Sequence, residues 1–475
     1  MHITTKTDEI TKMNGIFEMV GKCVVVDTPN LGVSTAQFGR INRQTECGLT
    51  IIKVQTTNRK QMKQHNNIPQ LRFPEFDGEW EERPIKNIIS DARLGGNYRN
   101  LEISKGLPLI KMGNIGRGKI ILDKKYFLQE KEEYNENDIL KDGDFLFNTR
   151  NTLELVGKVA IWQDELPLAL YNSNLLRITF NDEIESTNRF INYLFNTYST
   201  IKSLRRFAIG TTSVAAIYSR DLYKLKVKFP TLPEQQKIAH FLTAVDKRIQ
   251  LLTRKKEQLE LYKKGTMQKI FNRQIRFKDE KGREFPEWEE KKLGEVFDRV
   301  TRKNTENNNN VLTISAQNGL VNQLLYFNNS VSGKDLQGYY LLEKGDFAYN
   351  RSYSRGYPMG ATKRLKNYTK GVVSTLYICF RSKRCIEGGF AEKMFESGVV
   401  NKEIYKVAQE GARNHGLLNI GVGDYFAIRV VIPTLPEQQK IAQFLTALDK
   451  KIAHTTGEIE KMKEWKRGLL QKLFV

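Results

Sequence analysis

At 475 residues, with 40% hydrophobic and 10% aromatic content, the chain can build ordinary cores and is long enough for several domains, one domain taking roughly 100–200 residues. Seventy-six Lys and Arg against 54 Asp and Glu give a net charge of +22. The pI of about 9.6 lies above the value of about 9 that marks a nucleic-acid footprint; a solvated basic surface and attraction to an anionic membrane leaflet are the competing readings. A mean hydropathy of -0.50, with no run of about 18 apolar residues, argues against a membrane span.

In chain order, the opening MHITTKTDEITKMNGIF lacks the basic start and apolar stretch of a secretory signal, so the expected location is the cytoplasm. The scattered Cys23, Cys47, Cys379 and Cys385 show no CxxC or metal-binding spacing and suit a reducing compartment. GIFEMVGKC, at 15–23, approaches a phosphate loop but has five residues between its glycines and Cys23 where Ser or Thr should meet magnesium. Residues 1–68 are read as an N-terminal extension outside the internal repeat, an over-extended start with Met62 as the expected initiator.

From there the chain is a tandem duplication. PTLPEQQKIA occurs at 230–239 and again at 433–442, and HFLTAVDKRI (240–249) is matched by QFLTALDKKI (443–452). Upstream, EWEERPI (79–85) is echoed by EWEEKKL (287–293), KDGDFLFNTR (141–150) by EKGDFAYNRS (343–352), and DLYKLKVKFP (221–230) by DYFAIRVVIP (424–433). Variable segments over 69–230 and 273–433 therefore alternate with near-identical segments over 231–272 and 434–475.

The variable segments carry strand-type runs between Gly- and Asn-rich turns: LPLIKM (107–112), LLRITF (175–180), KLKVKF (224–229), VSTLYICF (373–380) and AIRVVI (427–432). NRFINYLFNTYSTIKSLRRF (188–207) reads as one helix. The fold class is α+β.

Each near-identical segment reads as one long helix. Thr231 with Glu234, and Thr434 with Glu437, fit a capping box, with Pro233 and Pro436 in the first turn. Ile238, Leu242, Val245, Ile249, Leu252 and Leu259, and in the second copy Ile441, Leu445, Leu448, Ile452, Ile459, Met462, Leu469 and Leu473, form a heptad seam interrupted at Lys256 and Thr455. A coiled-coil pair satisfies both seams, and some 38 residues at 1.5 Å each span about 57 Å. Packing within such a pair does not require identical outward faces. Glu234, Gln235, Gln236, Lys237, Asp246 and Lys247, with Glu437, Gln438, Gln439 and Lys440 in the second copy, are read as two copies of a surface for two copies of one partner.

Two variable domains, each followed by a long helix opening with TLPEQQKIA, resemble the specificity subunit of a type I restriction-modification system over residues 69–475. The resemblance implies two α/β target-recognition domains separated by two long antiparallel coiled-coil helices, with an internal pseudo-twofold duplication. It implies double-stranded DNA as ligand, each domain reading one half of a bipartite site across an unread gap. It also implies two methyltransferase (M) subunits docked on the helices, with restriction (R) endonuclease and translocase subunits added. MKQHNNIPQLRFPEF (62–76) resembles a family start.

Loops rich in Arg, Asn and Lys are the candidate readers, because Arg pairs bidentately with guanine and Asn with adenine. GGNYRN (95–100), KMGNIGRGK (111–119), FNTRNT (147–152) and YNRSYSRGY (349–357) supply Arg99, Lys111, Arg117, Asn148, Arg150, Asn350, Arg351 and Arg355. The family's GT or GS loop is matched by RFAIGTTSVAAI (206–217), which adds Thr211 and Thr212; GARNHGLLNI (411–420) instead places Arg413 and Asn414 there. The competing reading of each is a loop residue capping its own turn.

No catalytic constellation appears. The (N/D)PP(Y/F) motif of a DNA aminomethyltransferase is absent, Glu287, Glu289 and Lys291 read as an exposed charge run, and His2, His65, His240, His415 and His454 show no pairing. The expected role is recognition without catalysis and without a cofactor in this subunit, S-adenosylmethionine, ATP and magnesium belonging to the partner subunits. The alternatives are a coiled-coil nucleic-acid-binding scaffold without sequence specificity and an enzyme in its own right.

Overall fold

The computed structural model describes residues 67–475 apart from 103–104, 182–187, 316–317, 328–335, 353–355 and 409–417. The N-terminal extension up to residue 66, including Cys23, Cys47 and Met62, lies outside the described residues. The chain folds as two compact units, one running to Ile249 and including Lys461–Val475, the other comprising Gln250–Glu460.

The first unit is built on a four-stranded antiparallel sheet in the order Ile89–Leu94, Leu175–Phe180, Phe145–Asn148, Val159–Ile161. Its EWEE segment forms the strand Glu81–Pro84, which pairs with Lys226–Phe229. The second unit repeats the plan, with the order Phe297–Arg299, Ile378–Ser382, Phe347–Asn350, Ala361–Arg364, and Glu289–Lys292 paired with Arg429–Ile432. Phe145, Phe147 and Ile178 in the one, and Phe347, Tyr349 and Phe380 in the other, point their alternating apolar faces into the main core of each unit.

Two expected elements are divided. Residues 188–207 form two helices, Asn188–Phe195 and Tyr198–Phe207, because the Thr197 side chain accepts the Thr200 N–H and starts a new helix. VSTLYICF is split between the strands Lys370–Val373 and Ile378–Ser382 by a turn in which Tyr377 N–H bonds Ser374 O at 3.1 Å.

The long helices run Leu232–Phe271 and Leu435–Lys472. Each begins in the core of the domain that precedes it: Ile238, Leu242 and Val245 pack with Phe190 and Phe229, and Ile441, Leu445 and Leu448 with Phe390 and Ile432. The seam is thus shared with the domain cores rather than satisfied by the helix pair alone. The end of the second helix closes the first core, where Phe474 meets Phe190 at 5.3 Å and Trp80 at 6.1 Å between ring centroids. In the second unit Phe271, ending the first helix, meets Phe390 at 5.6 Å and Trp288 at 6.3 Å. Within either unit the start of one helix packs beside the end of the other, an antiparallel arrangement.

The helix starts depart from the expected capping box. Glu234 does not reach back to its cap; it takes Arg72 in two bonds, Nε at 2.8 Å and Nη2 at 2.6 Å. Glu437 takes Arg276 in the same way, at 3.3 and 2.9 Å. Among the described residues Thr434 Oγ1 is buried without a hydrogen-bond partner. The next residue ties the helix to the chain ahead of it: Gln235 Nε2 donates to Pro230 O at 2.9 Å and Gln438 Nε2 to Pro433 O at 2.8 Å. A paired arginine is the better partner for a buried carboxylate than a lone backbone N–H.

Candidate nucleic-acid interface

In the first unit the 149–157 loop leaves the central strand Phe145–Asn148 and returns as Val159–Ile161. Arg150–Asn151 pairs with Ala215–Ala216, which in turn pairs with Ile209–Gly210, so this loop and the GTTS loop form one small sheet. The turn needs its glycine: Gly210 has φ +131°, and a Cβ there would stand 2.3 Å from Val214 O. Arg150, Thr211, Thr212 and Ser213 are all exposed on this platform, beside Ile209, Val214 and Tyr218.

A cationic cluster flanks it. Arg117 Nη2 and Arg205 Nη2 both donate to Glu154 O, at 3.1 and 3.2 Å. Burial, then Arg205, pulls the Arg117 pKa down, and burial, then Arg117, does the same to Lys158. Among the described residues none of the three has a carboxylate ion-pair partner. The Glu154 carboxylate opposes these shifts as a smaller effect on Arg117 and Lys158 and offsets only part of the charge, and the positive charge left over favours an external anion such as phosphate.

The remaining expected readers of this unit are dispersed or committed. Asn148 is 0% exposed, its Oδ1 accepting the Arg150 N–H at 3.2 Å, so it shapes the loop and presents nothing to a base edge. Lys111 is half-buried, bonded to Asn100 Oδ1 at 3.1 Å and stacked over Tyr126. Arg99 is exposed on the segment paired to Phe127–Leu128.

In the second unit Asn350 repeats the role of Asn148, its Oδ1 accepting the Ser352 N–H at 3.0 Å. Arg351 is a loop brace: its guanidinium donates to Ile420 O and Leu376 O, both at 3.2 Å, which spends the fork that would pair with guanine. Arg355, Arg413 and Asn414 lie outside the described residues.

The family model for the type I restriction modification DNA specificity domain matches the chain twice, over residues 78–261 and 286–464, and so covers more than half of it. The chain belongs to this family. A chain of Methanocaldococcus jannaschii provisionally named MjaX type I restriction enzyme specificity subunit is 29% identical over 244 residues, 49% of this chain and 56% of that one. The MjaVIII specificity subunit of the same organism is 27% identical over 222 residues, 46% of this chain and 51% of its own. The chain spans about half the length of these curated relatives in the matches. The crystal structure of the type I restriction-modification S subunit from M. genitalium shares the fold, with a TM-score of 0.50 at 17% identity over 86% of this chain and 99% of that one.

In this family member the expected partner face is corrected at four positions. Glu234 and Glu437 are 0% exposed, Gln235 3% and Gln438 0%; all four hold the helix starts inside the domains. The duplicated face left at the surface carries Gln236, Lys237 and Lys247, and Gln439 and Lys450. Lys237 pairs with Glu75 at 3.1 Å, and Lys440 donates to Lys278 O at 2.9 Å.

Lys158, Arg205, Arg72 and Arg276 do not stand out in the sequence as site residues. The signal for the last two was present as QLRF (70–73) and QIRF (274–277), a further repeat just before each EWEE segment. Among the described residues no group of three His, Cys, Asp or Glu side chains could hold a metal ion, and no helix is long and apolar enough to cross a membrane.

Proposed function

We propose that the chain is the DNA sequence-recognition subunit of a type I restriction-modification complex, reading a bipartite double-stranded site and catalysing nothing itself. The observation that carries this reading is the form of the duplication. The helix segments are nearly identical in the two copies, while the segments at the family's GT or GS position differ in sequence: GTTS at 210–213 stands against GARNHG at 411–416. What must match is repeated, and what reads different bases is free to diverge.

In this reading residues 69–230 and 273–433 are the two readers, and the helices at 231–272 and 434–475 set the unread gap and dock two methyltransferase subunits. Restriction subunits join that complex, which works in the cytoplasm and takes S-adenosylmethionine, ATP and magnesium into the partner subunits. Arg150, Thr211 and Thr212 are the readers in the first domain, while Arg117, Lys158 and Arg205 hold phosphate.

Methylation mapping of DNA from cells carrying this gene and its methyltransferase partner tests the assignment. A bipartite motif with a fixed gap, changing in one half only when residues 69–230 are exchanged, is the expected result. A stable complex with the methyltransferase that yields no motif, or an exchange that alters both halves, would overturn it. Changing Arg117, Lys158 and Arg205 together to Ala should weaken binding to every duplex alike and flatten the slope of log K against log salt by about 2.7, at about 0.9 per phosphate contact. Fluorescence anisotropy across a salt series measures this, and an unchanged slope would take the cluster off the DNA path.

A further inference from the structure

In each unit one aspartate stands where three elements meet. Asp246, on the first long helix, accepts the Tyr193 hydroxyl at 2.8 Å and Lys466 Nζ at 2.6 Å. Tyr193 belongs to the recognition-domain helix Asn188–Phe195 and Lys466 to the second long helix. Asp449, 203 positions later, pairs with Lys263 of the first long helix at 2.6 Å and with Lys393.

Lys393 lies on the helix Gly388–Ser397, three residues after Phe390, as Tyr193 lies three residues after Phe190. The two domains thus present different groups to the same helix carboxylate. Both are buried, Tyr193 at 7% and Lys393 at 5% exposure. An ammonium taken out of water needs more than one partner. The second domain supplies it: Glu396 bonds Lys393 at 2.7 Å and Lys263 at 2.5 Å, where the first domain has Asn196. Burial would raise the Glu396 pKa, yet the two lysines hold it down at about 2. One Asp and one Lys in the first unit, and two carboxylates and two lysines in the second, leave both clusters neutral.

We propose that Asp246 and Asp449 are positioning residues for base reading, each seating one recognition domain on the long helices through a group the domain itself supplies, a hydroxyl in the first and a Lys–Glu pair in the second. This rests on the DNA-reading assignment above. The chemistry separates the two seats. A hydroxyl donates or accepts, so the first seat works with either sign of charge on the helix; an ammonium only donates, so the second requires a carboxylate.

The test is charge exchange in the full chain, read as the discrimination of each half-site in DNA binding, with thermal unfolding alongside. Asp246→Lys alone should cut discrimination at the first half by about tenfold or more, as for loss of a charged hydrogen bond, with the second half unchanged. Adding Lys466→Asp should restore it. Asp449→Lys with Lys263→Asp should fail to restore the second half until Lys393→Tyr and Glu396→Asn are added. Where a single variant does not fold, the same pattern of restoration is read in the recovery of folded chain. Equal restoration at both seats by the two-residue exchange would overturn the hydroxyl-versus-ammonium distinction. Folded variants whose half-site discrimination never moves would overturn the positioning role, and the methylated motif of the unaltered chain would still stand on its own.

Discussion

Arg72→Ala is expected to lower the stability of the first unit by about 3–5 kcal/mol, the usual cost of stripping one partner from a buried ion pair. Glu234 is 0% exposed and Arg72 occupies both of its oxygens, so truncation leaves a carboxylate in the core with no cation. The guanidinium also donates to Gly78 O, which ties the chain ahead of the EWEE strand to the helix start. Urea unfolding of the full chain, with hydrogen exchange followed separately in residues 67–249 and 250–460, measures the loss and its location. Arg72→Met with Glu234→Met should recover most of the stability, since removing both charges removes the desolvation penalty. A loss below about 1 kcal/mol would mean that the pair behaves like a surface ion pair. Arg276→Ala should act likewise on the second unit, where Glu437 is equally buried.

Phe474→Ala should cost about 3–5 kcal/mol, as for other buried Phe truncations, although the residue stands next to last in the chain. Phe474 is 5% exposed between Trp80 and Phe190. The loss should appear as faster exchange in the first recognition domain, more than 200 positions away in sequence, with residues 250–460 keeping their protection. Phe271→Ala should give the converse, through Trp288 and Phe390. Uniform loosening of both units by either variant would show that the aromatic groups do not close separate cores.

Much of the plan was legible in the chain because it is written twice. A repeated decapeptide locates both helix starts, and the strand-type runs LLRITF and KLKVKF are found in the structure as the strands Leu175–Phe180 and Lys226–Phe229. The candidate site was legible as loops but not as individual readers. Asn148 and Arg150 stand two residues apart in one loop, yet the first is spent on the backbone N–H of the second. Only the packed loop distinguishes an Asn that shapes a turn from an Arg that faces outward. Arg351 looked equally suited to guanine until two carbonyls claimed its guanidinium.

Identity between the copies also has two separate physical origins that sequence cannot divide. Glu234 and Gln235 recur as Glu437 and Gln438 because each pair is buried and meets the same arginine and proline carbonyl. Gln236 and Gln439 recur at the surface, where burial does not demand it. The amino-acid sequence alone determined the duplication, the long helices, the α+β class and the basic character, since periodicity, charge and repetition are local or additive properties. Only the tertiary structure decided which repeated residues lie inside, which loops share a platform, that Arg117, Lys158 and Arg205 converge, and that Tyr193 and Lys393 answer the same carboxylate. Those depend on contacts between residues far apart in the chain, where burial and the geometry of donors and acceptors set the outcome.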